Sequence, residues 1–444
     1  MASSFLGQQE QLQEAARRQP RTAKRSRLKF VHAADLHIDS PLRGLDEYAG
    51  APVERVRLAP RAALENLVQL CLQEQVGFLL ISGDLFDYDW RDFNTALFVV
   101  KQFRRLEQEE IPVFMIRGNH DSREEMSFKV PWPKNVTLFD HKEPQTKSLD
   151  DLGVALHGMS FPKREVKENL VPRYPDPVRG MLNIGLLHTN ATGSLDHDPY
   201  APCTLDDLTS KGYDYWALGH LHQYDVLHTA PHVVYSGNTQ GRHIRECGEK
   251  GCALLTVEDG EVTDIEFRAT DVLRWHKVAI QLAPDDGLDE LYERAGRELR
   301  EIAAAAEGRL AGVRLEIGGN CAAHRALVRE ITRKEAVAEL RALPGEFTDD
   351  VWIEKIKFQT RPALDRDELA RGQDLIGDLL RSVDTIVDDR EQLLELSAAL
   401  KPLITKVAGE VTADEIDFAN EEQLARWVRE AEAHLVSHLT EDAR

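Results

Sequence analysis

Apolar and polar residues in the first part of the chain follow two periods, one typical of buried strands and one typical of helices. Short apolar runs at Leu28 to Ala34, Val76 to Ser82 and Ile111 to Ile116 favour buried strands. Between them, Val53 to Gln75 and Phe93 to Glu109 place apolar residues three and four positions apart, as amphipathic helices do. This order of strand, helix, strand, helix, strand predicts parallel pairing, with helices packed on the faces of a sheet.

Beyond residue 121 the predicted strands become shorter and are separated by proline-rich connections. They cover residues 136–139, 154–157, 182–187, 215–218 and 232–236. The segments Cys252 to Glu258 and Glu261 to Phe267 flank Asp259-Gly260, a turn sequence typical of a β-hairpin. Together with residues 232–236 they are expected to close the fold as antiparallel strands. We therefore predict one layered α/β domain over residues 30–272.

The pattern restarts near residue 273. Strand and helix patterns alternate from there to residue 362, which predicts a small α+β domain over 273–362. Residues 363–444 predict helices only, and these either fold back on the body or offer apolar faces to a partner. Their two apolar stripes consist of Leu375, Leu379, Val383 and Ile386, and of Leu424, Trp427, Val428, Ala431 and Leu435.

Composition favours a soluble, multidomain protein. The chain has 444 residues, 42% of them hydrophobic and 30% charged, which suits two or three globular units. No apolar run is long enough to span a bilayer and no secretory segment is evident, so we expect a cytoplasmic protein without a membrane association. Five scattered cysteines argue against a disulfide framework.

Net charge limits the ways in which the protein can bind nucleic acid. A net charge of −21 argues against binding by bulk attraction, but divalent cations and a local basic strip can still attract a phosphate backbone. Residues 1–29 carry a basic run that predicts a disordered arm. The same run is also consistent with a phosphate-contacting arm or with an over-long translation start.

Five clusters of carboxylate, imidazole and amide side chains follow predicted strands. They are Asp35-Leu36-His37, Gly83-Asp84, Gly118-Asn119-His120-Asp121, His188 and Gly219-His220-Leu221-His222. Because the carboxyl ends of parallel strands meet at one sheet edge, these side chains are expected to converge. Two divalent cations about 3.5–4 Å apart need such a set, including a bridging carboxylate, and would clamp the oxygens of a phosphoryl transfer. This mixture of imidazole, carboxylate and amide ligands, without a thiolate, suits manganese, iron or zinc more than a dedicated magnesium or calcium site.

In this order the five clusters resemble the signature of the calcineurin-like metallophosphoesterases. The resemblance implies a four-layered α/β sandwich that holds two divalent metal ions. It also implies the ligands of each ion. The first metal would be bound by Asp35, His37, Asp84 and His222, and the second by Asp84, Asn119, His188 and His220. Asp84 would therefore bridge the two ions.

The resemblance also implies roles for two residues that are not ligands. His120 would lie over the scissile phosphate and act on the leaving oxygen, while a hydroxide held by the metals attacks in line. Asp87, three residues beyond Asp84, matches the position of a group that hydrogen-bonds this histidine. A carboxylate there would fix the tautomer of His120 and favour its imidazolium form. Asp121 has no assigned role.

The surroundings of the first two clusters resemble a narrower group. Phe30 to Leu42 and Gly83 to Asp87 are similar to the SbcD-like DNA-repair exonucleases, in their YhaO-like branch. This resemblance implies a manganese-dependent DNA exonuclease in which residues 273–362 cap the active site. It also implies that the terminal helices dock an SMC-like ATPase, and a homodimer is a further expectation. The alternatives are a phosphodiesterase for small phosphoesters or cyclic nucleotides, and a metal-free scaffold.

The remaining polar residues carry weaker expectations. His32 would point away from Asp35 on an alternating strand, so a core position is expected. Arg43, Arg242 and Arg245 either contact phosphate or are solvated surface arginines.

Overall fold

The computed structural model describes residues 27–40, 52–87, 93–122, 130–191, 200–363, 366–396 and 420–442. The chain forms two compact units. The first runs to His276 and includes residues 308–312, and the second contains residues 277–307 and resumes at Val313. Most of the predicted arm, Arg43, and residues 397–419 of the predicted helical region lie outside the described residues. Arg27 to Lys29, assigned to the arm from the sequence, belong to the first strand.

The first unit contains two six-stranded sheets. The first sheet has the order β12-β11-β1-β2-β3-β4. Its strands are β1 (Arg27–Ala33), β2 (Phe78–Ser82), β3 (Val113–Ile116), β4 (Val136–Leu138), β11 (Gly251–Glu258) and β12 (Glu261–Ala269). Strands β1 to β4 are parallel, as the sequence predicts, and β11 and β12 form the expected antiparallel hairpin beside β1. Asp259 and Gly260 at its turn both have positive φ, which the Asp-Gly sequence suits.

The second sheet has the order β5-β6-β7-β8-β10-β9. Its strands are β5 (Gln145–Leu149), β6 (Val154–Gly158), β7 (Leu182–His188), β8 (Tyr215–Gly219), β9 (Asp225–Thr229) and β10 (His232–Tyr235). The expectation that the 232–236 strand closes the fold in an antiparallel pair is half wrong. This strand lies inside the sheet and therefore has two neighbours. It pairs antiparallel to β9 but parallel to β8.

Three apolar cores separate the layers of this unit. Helices α1 (Val53–Gln73) and α2 (Phe93–Gln108) bury residues such as Leu64 and Phe103 with the outer side of the first sheet. Phe78 of the first sheet and Tyr215 of the second lie in the core shared by the two sheets. On the far side, Trp216 is buried with Leu208 of the short helix α3 (Leu205–Ser210) and with connecting segments. The four-layered α/β sandwich is thereby confirmed.

The last part of the chain contains a three-stranded sheet with the order β13-β14-β15 and several helices. Most of these residues belong to the second unit, while the first residues of β13 and of β14 belong to the first. The strands and first helices are β13 (Leu273–Gln281), α4 (Leu288–Ala305), β14 (Leu310–Cys321), α5 (His324–Leu327), α6 (Glu330–Ala342) and β15 (Val351–Pro362). The predicted α+β module is therefore present. Residues 324–342 form two helices and not one, since Arg329 adopts an extended conformation between α5 and α6.

The C-terminal helices are α7 (Arg366–Ala370), α8 (Leu375–Asp388) and α9 (Glu421–Asp442). Helix α8 packs against both α7 and α9. The predicted stripes are partly wrong, since Leu375 and Leu435 are 71% and 51% exposed, whereas Glu432 is buried. Glu432 is buried because Arg366 pairs with it and with Asp384, so an ion pair replaces an apolar contact. Within the described ranges, no helix has the length and apolarity needed to cross a bilayer.

Candidate metal centre

The residues predicted to form the site lie at the carboxyl ends of strands from both sheets of the first unit. Three of the five sequence clusters follow β1, β2 and β3 in the first sheet. The other two lie at the ends of β7 and β8 in the second sheet, and β2 contacts both of these strands. The site is therefore formed where the two sheets meet, and neither sheet alone contains it.

The backbone at this edge adopts conformations that are rare for residues with side chains. Asp35, His37 and Asp84 have φ of 52°, 44° and 51°, and His220 has φ of 103°. Each non-glycine residue held in such a region costs on the order of 1–3 kcal/mol. Two backbone hydrogen bonds hold the loops after β1 and β2 in this form, from Asp35 N to Gly83 O at 3.1 Å and from His37 N to Asp84 O at 3.0 Å.

One group of three ligand atoms comes from Asp35, His37 and His222. Nε2 of His37 and Nε2 of His222 are 3.3 Å apart, and both face Asp35 Oδ1, at 4.0 and 3.9 Å. Asp35 Oδ1 is buried and accepts no hydrogen bond from any residue that the structure describes. An unsatisfied carboxylate oxygen that faces two imidazole nitrogens suits a cation.

A second group is centred on His188. Its Nδ1 donates to the carbonyl oxygen of Ser82 at 2.9 Å, which turns Nε2 toward two acceptor oxygens. These are Asn119 Oδ1 at 2.9 Å and Asp84 Oδ2 at 3.4 Å. Three such atoms need a proton or a cation among them. Asp84 Oδ2 is also 3.9 Å from His37 Nε2, so Asp84 lies between the two groups, where a bridging ligand would be.

His220 takes a less direct position than the other predicted ligands. Its backbone N–H donates to Asp35 Oδ2 at 2.9 Å. Its ring centroid lies 5.3 Å from that of His188 and 5.3 Å from that of Tyr200. The structure thus brings Asp35, His37, Asp84, Asn119, His188 and His222 together and packs the His220 ring beside them. The assignment of each as a ligand stays a prediction.

His120 and Asp87 form a close pair next to the ligands. The Nδ1–H of His120 donates to Asp87 Oδ1 at 2.6 Å, and the His120 backbone N–H donates to Asp84 Oδ1 at 2.9 Å. Asp87 also accepts a hydrogen bond from Ser40 Oγ at 2.7 Å. Burial alone would lower the pKa of His120, but the bond to Asp87 and the charge of Asp84 raise it above its usual value.

Burial and charge compete at the other ionisable groups. Burial raises the pKa of Asp35 to about 6, despite the nearby His188 and His222. For Asp84 the same burial is outweighed by His188, and its pKa lies well below the usual value. Burial, with the charge of Arg242, holds the pKa of His37 well below its usual range. A neutral His37 and an ionised Asp84 are the forms in which these side chains bind metals.

Close packing at the site leaves no space for side chains at two glycines. A Cβ at Gly219 would lie 2.0 Å from Ser82 O, and one at Gly118 would lie 2.3 Å from Asp84 Oδ1. Gly118 does not have a positive φ. Glycine is therefore needed there because a side chain would not fit, and not because of the backbone conformation.

Several residues at the site were missed or left open by the sequence. Asp121 joins two loops, since its Oδ1 accepts from Gly118 N at 2.8 Å and its Oδ2 from Leu85 N at 3.0 Å. Arg242 is not a solvated surface residue, because its Nη1 lies 3.4 Å from Asp87 Oδ2. Glu246, which carries no motif, is hydrogen-bonded to His222. His32 is buried as expected and bonds the Tyr215 hydroxyl.

The donor set fits divalent cations. It combines carboxylate oxygens with imidazole nitrogens and one amide oxygen, and no thiolate lies among them. Residues 28–224 match the family model of the calcineurin-like phosphoesterases. This part of the chain is therefore similar to the calcineurin-like phosphoesterases. Residues 275–361 match a second family model, the middle domain of the metallophosphoesterase YhaO.

One curated relative is the uncharacterized metallophosphoesterase YhaO of Bacillus subtilis (strain 168). It is 39% identical over 270 residues, which cover 60% of this chain and 66% of the relative, slightly less than two thirds. Solved structures similar to the chain include a dimetal phosphatase from Danio rerio, with 12% identity, a TM-score of 0.33, and coverage of 54% of this chain and 99% of that one. Another is the protein TT1561 of Thermus thermophilus, with 12% identity, a TM-score of 0.30, and coverage of 53% and 99%.

Proposed function

We propose that this protein is a metallophosphoesterase, and specifically a two-metal phosphodiesterase that hydrolyses DNA phosphodiester bonds as an exonuclease. The observation that carries the proposal is the position of Asp84 between two groups of ligand atoms, with the His120–Asp87 pair directly beside it. Bound divalent cations would polarise the phosphoryl oxygens and activate a water molecule.

The residues of the chain divide the remaining work. Asp87 accepts a hydrogen bond from the Nδ1–H of His120, which fixes the ring and favours its imidazolium form. The Nε2–H of that imidazolium is then the group that donates its proton to the leaving oxygen. The His120 backbone N–H holds the Asp84 carboxylate in place through its bond to Oδ1. Asp121 keeps the Gly118 loop against the loop that carries Asp84, because it accepts hydrogen bonds from both.

The choice of DNA as substrate rests on the resemblance of Phe30 to Leu42 to the SbcD-like exonucleases and on the additional domain at residues 275–361. Manganese is the proposed metal, since the mixed oxygen and nitrogen donors suit it. An SMC-like ATPase that docks on the terminal helices, a homodimer and a cytoplasmic location complete the proposal. None of the five cysteines, all within the described residues, forms a disulfide, and this is consistent with a reducing compartment.

The proposal is tested by measuring hydrolysis by the full chain in the presence of Mn²⁺. Linear duplex DNA, single-stranded DNA and bis(p-nitrophenyl) phosphate are assayed side by side, with Asp84→Ala as the inactive control. We expect DNA to be degraded from its ends by the unaltered protein and to remain intact with the variant. A covalently closed circular duplex serves as the control for endonuclease activity.

Two results would contradict the proposal at different levels. Hydrolysis confined to the small ester would remove DNA as the substrate and favour the small-phosphoester alternative. A purified protein that binds no divalent ion, together with an Asp84→Ala variant of unchanged behaviour, would favour a scaffold. Addition of a candidate ATPase to the DNA assay tests the partner separately.

A further inference from the structure

We propose that Glu246 is a positioning residue that fixes the imidazole of His222 for metal binding. This inference rests on the proposed function, because it concerns how one predicted ligand is held for its cation. Glu246 lies in residues 241–250, a segment between β10 and β11 that contains none of the five sequence clusters.

The Glu246 carboxylate is held on both of its oxygens. Oε1 lies 2.8 Å from Nδ1 of His222. Oε2 accepts hydrogen bonds from Asn238 Nδ2 at 2.9 Å and from the Arg242 backbone N–H at 2.8 Å. The side chain is only 8% exposed. A buried carboxylate with this many fixed donors has little freedom to turn, so the direction of its bond to His222 is determined.

This bond selects the tautomer of His222. An ionised carboxylate only accepts hydrogen bonds, so Nδ1 of His222 must carry the proton. Two donors already reach Oε2, and Nε of Arg242 lies 3.6 Å from Oε1, which suits an ionised Glu246 carboxylate. The neutral ring then has its lone pair on Nε2, the atom that faces Asp35 Oδ1 and His37 Nε2. Metal-binding histidines commonly donate their other N–H to such a partner.

The same segment also holds the backbone of His222. Nζ of Lys250 donates to the His222 carbonyl oxygen at 2.6 Å. Arg242 connects this arrangement to the other side of the site, since its Nη1 is 3.4 Å from Asp87 Oδ2 and its Nε is 3.6 Å from Glu246 Oε1. Both the ring and the main chain of this ligand are therefore set by residues 241–250.

A purely structural role for Glu246 would have a different signature. In that case its bonds to Asn238 and Arg242 would stabilise the loop, and its bond to His222 would be incidental. Removal would then lower the stability of the metal-free protein and leave the intrinsic metal affinity unchanged. Metal affinity and metal-free stability must therefore be measured on the same variants.

The test uses full-length Glu246→Ala and Glu246→Gln, freed of metal with a chelator and titrated with Mn²⁺ in a calorimeter. Glutamine offers one acceptor oxygen where donors approach both carboxylate oxygens, so its NH₂ must oppose a donor. We expect affinity to fall about 10- to 100-fold in each variant, as is usual when such a partner is lost. The matched control is Glu249→Gln, whose carboxylate is 58% exposed and pairs with Arg274 at 2.9 Å.

The outcomes separate the two proposals. Weaker Mn²⁺ binding by the Glu246 variants, with metal-free thermal unfolding like that of Glu249→Gln, supports the positioning role. Wild-type affinity in Glu246→Gln would overturn it, whether or not the alanine variant folds. An unaltered protein that binds no Mn²⁺ would overturn the proposed function itself. Tight binding by the unaltered protein with unaffected Glu246 variants would overturn only the positioning role.

Discussion

Replacement of Gly118 by alanine tests the geometry of the metal centre with the smallest possible change. The added Cβ would lie 2.3 Å from Asp84 Oδ1 and 2.7 Å from Cε1 of His188. Real contacts of a Cβ are essentially never shorter than 3.0 Å, so the Asp84 carboxylate or the Gly118 loop must move by at least 0.7 Å, the difference between 3.0 and 2.3 Å. The bond from His120 N to the same Asp84 oxygen would be disturbed as well.

Such a displacement is large for this chemistry. Metal sites tolerate deviations of about 0.2 Å in ligand distances, and a misplacement of about 1 Å can reduce turnover on the order of 10²-fold. We therefore expect Gly118→Ala to lose about 10²-fold in kcat/KM for bis(p-nitrophenyl) phosphate and to bind less Mn²⁺ per chain. Gly345→Ala is the control, because a Cβ there meets no atom of the described residues within 4 Å. Full Mn²⁺ occupancy and turnover in Gly118→Ala would refute the spacing argument.

His120→Ala is expected to retain its metal but lose about 10²- to 10⁴-fold in turnover, and loss of metal on elemental analysis would instead make it a ligand. Chelation of divalent ions should abolish hydrolysis and lower the Tm, and added Mn²⁺ should restore both, since a ligand of the folded state stabilises it. Hydrogen bonds from Arg366 and Arg429 lower the pKa of Asp384, although burial opposes this. The resulting stability is present above about pH 4 and is lost as pH falls through the depressed pKa, so Arg366→Met should weaken this acid dependence in thermal unfolding.

Much of the metal centre could be predicted because its candidate ligands directly follow the apolar runs that predict the strands. Asp35, Asp84 and Asn119 each follow an apolar strand, and the order of strands and helices makes those strands parallel. A parallel sheet brings the ends of its strands to one edge, whatever the details of packing. Local pattern and topology were therefore sufficient to bring these residues together.

Other features depend on contacts that no local pattern carries. Strands β5 and β9 are largely polar, and only their neighbours in the sheet define them as edge strands. Glu246 and Arg242 reach the site from a loop without a motif, and their role follows from the position of His222 and Asp87. Glu432 is buried within a predicted apolar stripe because it pairs with Arg366. This partner lies 66 residues earlier in the chain, so the pattern around Glu432 does not reveal the pair.

The positive φ angles of Asp35, His37, Asp84 and His220 position the side chains of the site but lower the stability of the protein. Glycine would adopt each of these conformations without steric cost and so relieve the strain. Directed evolution that rewards heat resistance of the metal-free protein should therefore favour glycine at these positions. Its products would outlast the metal-free parent at high temperature and would no longer hold the metals, so any thermostable catalyst derived from this chain must gain its stability elsewhere.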